Sequence, residues 1–193
     1  LALVVYGDQD LSILDEMPPN RQKILTRIVP EEKRVEAYKW ITEELEQGRQ
    51  AFIIFPLIEE SEMLDVKAAT KEFDFLQNTV FPQFKVGLLH GQMPAKDKDE
   101  TMQHFAKGKY NILVSTSVVE VGVDIPNATI MMIEGAERFG LAQLHQFRGR
   151  VGRGSEKSYC LLFPSSSTPP SPVSTQDPTL TNPGNALKRL EAL

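Results

Sequence analysis

The chain has 193 residues, 41% of them apolar, which is enough to bury one sizeable core with at most an appendage. No run of about 18 apolar residues occurs and no charged leader precedes an apolar segment, so neither a membrane span nor a signal peptide is indicated and a soluble cytoplasmic protein is expected. The net charge of -5 excludes a surface coated with cations, so any contact with nucleic acid must be local.

The sequence opens on LALVVY without a methionine and is expected to begin in mid-protein, with an apolar strand under way. Loop residues follow, and Lys23 to Val29 reads as a β-branched strand stopped by Pro30. Pro30, Glu31 and Glu32 suit the start of a helix, Val35, Tyr38, Ile41 and Leu45 form its apolar stripe, and Gly48 supplies its stop. Trp40 lies off that stripe and is expected to be partly packed. Ala51 to Leu57 is almost wholly apolar, the pattern of a strand covered on both faces. After an acidic loop, Asp65 to Phe81 reads as a helix with Val66, Ala69, Phe73 and Leu76 inward, ended by Pro82. Phe84 to Leu89 is the next strand, with His90-Gly91 as its exit turn. Pro94 opens a helix whose Met102, Phe105 and Ala106 pack inward before Gly108.

Asn111 to Ser115 returns as a strand, Thr116 to Ala128 is rich in turn residues, and Thr129 to Ile133 is a further strand. A helix spanning Gln146 to Arg153 and the strand Ser158 to Phe163 complete the pattern. Residues 1–163 thus read as one domain. From 164 to 185 the composition turns to Pro and Ser, a linker or insertion, and 186–193 resumes helical spacing with Leu187, Leu190 and Leu193. Alternating strands and helices predict an α/β fold, a parallel sheet with helices on both faces joined by right-handed crossovers. Ligands of such sheets sit outside the strand carboxyl ends, where His90, the segment from Ser115 to Asp124 and the turn before Gly140 are expected to converge on one rim. The single cysteine, Cys160, lies inside an apolar run and is expected to fill core.

The stretch Gln146 to Arg153 (QFRGRVGR) carries the chemistry. As a helix it places Leu144, Phe147 and Val151 on a burying side and Gln146, Arg150 and Arg153 on another. Gly149 and Gly152 in a helix would each cost about 1 kcal/mol relative to Ala, which suits a backbone that approaches something closely. Guanidinium groups stay charged and match phosphate oxygens, and an arginine finger is worth roughly 10³ to 10⁵ in phosphoryl-transfer rate. The pattern alone fits an exposed basic helix end equally well. Between His145 and Lys157, Arg148, Arg150, Arg153 and Lys157 face one acid, Glu156, a balance of +3 in an acidic chain. No GxxxxGK[ST] loop is found, since Gly108-Lys109 is followed by Tyr110. Glu134 ends an apolar strand as a magnesium carboxylate would, but without the loop it is expected to serve the rim or a cap. The chain is therefore expected not to hydrolyse ATP alone.

Ser115 to Asp124 followed by Gln146 to Arg153 resembles motifs V and VI of superfamily 2 helicases in order and separation. More narrowly, YGDQDLSILDEMPP near the start, FPLIEES, LHGQM, PNA and the stretch from Glu137 to Gly154 resemble RecG-type DNA helicases from about Leu1 to Phe163. The resemblance implies a RecA-like helicase C-terminal lobe. It implies that Arg150 and Arg153 serve as finger and phosphate sensor, that Gln146 couples nucleotide to closure, and that Gly122, Asp124 and Gly149 border the nucleotide. It assigns Ser115, Thr116, His90 and Gly91 to the DNA-tracking rim, with His145 structural. ATP and Mg2+ are then held mainly by a first lobe outside this stretch, with a wedge domain gripping branched DNA, and a monomer is expected. The transcription-repair coupling translocases share part of the pattern, and a non-catalytic RecA-like binding module is the reading from another class. The Pro/Ser-rich tail departs from the RecG-type pattern, which has a coupling hairpin after motif VI.

Overall fold

The computed structural model describes residues 23–56, 62–116 and 125–165, the side chains of 62–68 excepted. Residues 1–22 with the opening apolar run, 57–61 with Leu57 and the start of the acidic loop, the segment 117–124 and the tail from 166 lie outside the described residues.

Six strands form one sheet: β1 Leu25–Ile28, β2 Gln50–Phe55, β3 Val86–Leu89, β4 Ile112–Thr116, β5 Ala128–Glu134 and β6 Tyr159–Phe163. All pairings are parallel, in the order β1-β6-β5-β2-β4-β3. Every strand therefore ends on the same edge. Among the described residues four α-helices accompany them: α1 Arg34–Glu46, α2 Glu62–Phe75, α3 Ala95–Ala106 and α4 Leu141–Arg148. Short 3-10 turns at Glu31–Lys33 and Ala136–Arg138 lead into α1 and α4, and α2 continues into a wider turn over Leu76–Val80. That turn closes with the Phe81 N–H donating to Leu76 O at 2.7 Å, so the helix ends at Phe81 as Pro82 predicts.

The period-2 alternation of the strands divides the core in two. Phe52, Ile54, Leu113, Met131, Ile133, Cys160 and Leu162 face α3 and α4, where they meet Met102, Phe105, Leu144 and Phe147. Ala51, Ile53, Ile112, Val114, Ile130, Met132, Leu161 and Phe163 face α1 and α2, where they meet Ile41, Leu45 and Leu76. Helices thus cover both faces, as expected for a parallel sheet with near-continuous apolar strands. Gln50 is polar yet buried at the head of β2, and its amide donates to Phe105 O at 2.7 Å and Tyr110 O at 2.8 Å. A buried amide so satisfied costs little.

Three packing expectations fail. Val35 is 64% exposed, and Tyr38, Ile41 and Leu45 carry the packed stripe instead. Ala106 is exposed, and Met102 and Phe105 are the residues that α3 buries. The helix read over Gln146 to Arg153 stops at Arg148. Trp40 is partly packed as expected, edge-on to Tyr159 with ring centroids 4.7 Å apart.

Cys160 is fully buried, and that burial pushes its thiol up to about 12. Native protein at pH 8 is therefore expected to resist alkylation by iodoacetamide and to react fully in denaturant. Rapid labelling of the native protein, followed by mass spectrometry, would contradict this placement.

Candidate functional site

The apolar side of the arginine segment packs as the sequence implies: Leu144 and Val151 are fully buried and Phe147 nearly so, edge-on to Phe139 at 5.3 Å. At the start of α4 the Gly140 N–H donates to Gln143 Oε1 at 3.1 Å, which satisfies one of the donors left free at a helix start. The helix ends through Gly149, whose N–H reaches His145 O at 3.0 Å. Two tighter bonds follow, from Arg150 N to Phe147 O at 3.0 Å and Val151 N to Arg148 O at 3.3 Å. Gly152 then has φ +76°, a left-handed conformation that glycine adopts without a Cβ penalty. Gly149 and Gly152 end this helix rather than interrupt it. Arg150 is consequently half-buried on a turn, and Arg153 is exposed on the loop beyond, its Nε 3.4 Å from Gly149 O. Gln146 is exposed on the last turn of α4, and His145 is exposed with Nδ1 3.1 Å from Arg148 Nη2.

The arginines do not join the strand-end rim expected of His90 and the segment that begins at Ser115. Because α4 begins past the end of β5 and runs back along the sheet, the loop after it arrives at the edge where strands start. Gly154 lies against the Pro126 carbonyl just before β5, Glu156 is 3.4 Å from Arg49 just before β2, and Ser158 O accepts from Leu25 N at the start of β1. Arg150 and Arg153 therefore sit toward the strand-start edge. His90, Gly91, Ser115 and Thr116 sit at the opposite, strand-end edge.

At that second edge His90 follows β3 and Gly91 O accepts from Lys98 Nζ at 2.5 Å. Burial lowers the His90 pKa and the nearby Lys98 charge lowers it further, so the ring is neutral near pH 7. Its Nδ1 has no hydrogen-bond partner among the described residues. Ser115 is fully buried, and its hydroxyl donates to Thr116 O at 2.8 Å. Thr116 is buried too but lines a cavity at the strand ends. Gly122 and Asp124 lie outside the described residues.

That cavity, of about 420 Å³, was not legible in the sequence. Arg34, Tyr38, Glu72, Thr116, Glu134 and Arg138 contribute to its wall. Arg34 forks onto both carboxylate oxygens of Glu134, one through a short contact and the other at 3.1 Å, and donates to Tyr38 Oη and Glu31 Oε2, each at 2.9 Å. Its guanidinium also lies 4.9 Å from the centre of the Phe163 ring. Burial opposes the Arg34 charge, but the hydrogen bond and charge of Glu134 outweigh it and raise its pKa. Burial pushes the Glu134 carboxyl up against the pull of Arg34, and burial likewise raises Tyr38. Glu134 is thus a rim residue, but as an ion-pair partner and not a cap. Arg34 and Glu134 are 100 positions apart, and only the strand order brings them together. Because Arg34 takes up both of its oxygens, Glu134 is poorly placed to hold a metal, and no cluster of three metal-ligating side chains occurs among the described residues. No helix among them is long and apolar enough to cross a membrane.

A six-stranded parallel sheet covered by helices on both faces is the architecture of a RecA-like lobe. The model of the helicase conserved C-terminal domain matches residues 33–155, and the chain belongs to that family. Within the family its sequence is similar to the ATP-dependent DNA helicase RecG of Thermotoga maritima, 52% identical over 162 residues. That alignment covers 84% of this chain and 21% of the relative. The RecG of Synechocystis sp. is 54% identical over 166 residues, 86% of this chain and 20% of the relative. The chain thus spans about a fifth of the length of these curated relatives. A solved structure of RecG bound to a three-way DNA junction superposes with a TM-score of 0.75 and 42% identity, over 99% of this chain and 23% of that one. The second domain of the DEAD-box helicase Mss116p, bound to an RNA duplex, shares the fold with a TM-score of 0.56 at 21% identity, over 72% of this chain and 53% of that one.

Replacing Glu134 by Ala would leave Arg34 partly buried without its carboxylate. The pair retains some exposure, 20% and 13% of the two side chains, so the loss falls below that of a fully buried pair. An unfolding free energy lower by about 2 kcal/mol is expected in urea, with Glu134→Gln in between. An unchanged midpoint for Glu134→Ala would show that the contact carries no net stabilisation.

Proposed function

We propose that this chain is the second motor lobe of a RecG-type ATP-dependent DNA helicase that remodels branched DNA, such as stalled forks and Holliday junctions, in repair and recombination. The observation that carries the reading is the loop after α4. Buried Phe147 and Val151 anchor it, and from that anchor Arg150 and Arg153 project at one edge of the sheet. The similarity to RecG over most of the chain supports the same assignment. Guanidinium groups held this way fit the equatorial oxygens of a transferred phosphoryl group, on which charge spreads. Gln146, one turn before Arg150, and Gly149 would border the same nucleotide, together with Gly122 and Asp124. ATP and Mg2+ would be held mainly by a first lobe elsewhere in the complete protein.

The opposite edge would track DNA. Thr116, Gly91 and the neutral His90 offer short polar groups at strand ends, where a phosphate backbone is positioned without reading its sequence. Ser115, whose hydroxyl is committed to the Thr116 carbonyl, would act by fixing that strand end. With nucleotide and DNA contacts on two edges of one rigid sheet, closure on ATP would move the DNA contacts with it. Action in the cytoplasm as a monomer, beside the first lobe and wedge domain of the same protein, completes the reading.

Arg153→Ala in the complete protein is expected to abolish DNA-stimulated ATP hydrolysis, a loss on the order of 10³-fold or more, while binding to forked DNA persists. Hydrolysis at the parental rate would remove the finger assignment.

A further inference from the structure

The arginine loop is held from two sides, by the Pro126-Asn127 turn before β5 and by Arg49 in the turn that joins α1 to β2. Asn127 Nδ2 donates to Gly48 O at 2.8 Å and lies 3.3 Å from Gln50 Oε1, while the Gln50 N–H donates to Asn127 O at 3.0 Å. Gln50 is itself fixed by its bonds to the Phe105 and Tyr110 carbonyls. The Pro126-Asn127 turn is therefore a rigid platform. Gly154, next to Arg153, lies on that platform so closely that a Cβ would stand 2.7 Å from Pro126 O, a backbone atom and not the end of a flexible side chain. From the other side Arg49 pairs with the buried Glu44 and reaches Glu156 Oε2 at 3.4 Å.

The ion pair is not placed to add much stability. Glu156 is mostly exposed, and an exposed pair contributes little. The two contacts fall one and three residues after Arg153. We infer that Gly154 and the Arg49–Glu156 pair are positioning elements for the arginine loop: glycine lets the loop seat on the Pro126 carbonyl, and the ion pair holds it there. The Asn127 platform then sets where Arg150 and Arg153 point. This inference rests on the phosphate-binding role given to those arginines above. A displacement of about 1 Å in such a group can cost 10²-fold in rate, so a loop held on a fixed platform matters to turnover more than to folding.

The test uses the complete protein and forked DNA. Gly154→Ala is expected to lower kcat for DNA-stimulated ATP hydrolysis by about 10²-fold, with KM for ATP and fork affinity little changed. Glu156→Lys, which sets a cation against Arg49, is expected to lower kcat several-fold with an unchanged melting temperature, and Glu156→Gln less so. A folded Gly154→Ala protein with parental kcat would overturn the inference. Should that variant fail to fold, parental kcat in Glu156→Lys would overturn it equally. If Arg153→Ala is inactive while both positioning variants turn over normally, only this inference falls. If Arg153→Ala keeps parental turnover, the role of the arginines and their positioning fall together.

Discussion

Burial of the sheet on both faces is the constraint on which the rest of this structure depends. In β2 every residue from Gln50 to Ile54 is buried, with Phe52 and Ile54 toward α3 and α4 and Ala51 and Ile53 toward α1 and α2. A strand so enclosed leaves polar function no place along its length, and chemistry is confined to the two edges where chains enter and leave the sheet. Because all six strands are parallel, those edges differ in kind. One collects strand ends, the other strand starts and the loops that feed them.

The candidate groups divide along that line. His90, Gly91 and Thr116 belong to the strand-end edge, beside the cavity walled by Arg34 and Glu134. Arg150 and Arg153 belong to the loop that returns to β6 at the strand-start edge. A sheet packed to interior density transmits a displacement from one edge to the other with little loss, since close-packed cores resist deformation. That would be the physical basis for the proposed coupling of a nucleotide-facing loop to a DNA-facing rim within one lobe.

The fold was largely legible because its signals are local: apolar runs too short for helices, prolines and glycines at helix ends, and the alternation of the two patterns. Burial of Leu144, Phe147 and Val151 followed from spacing alone. What failed did so for tertiary reasons. Val35 sits at a helical spacing that predicts burial, yet it is exposed beside the Arg34 that reaches Glu134 of β5. The left-handed Gly152 turned a supposed helical face into a turn and a loop. The ion pair of Arg34 with Glu134 and the seat of Gly154 on Pro126 depend on strand order, which single-chain periodicity does not encode. Glu134 was recognisable as a rim residue, but its partner was not.

The central claim is that this lobe supplies half of an ATPase site. The most direct measurement is ATP hydrolysis by this chain alone and by the complete protein that carries it, each with and without forked DNA. The account predicts no turnover by the chain alone and DNA-stimulated turnover by the complete protein. Turnover by the isolated chain would contradict it by revealing a complete nucleotide site here, and silence in both would leave a binding module in place of a motor.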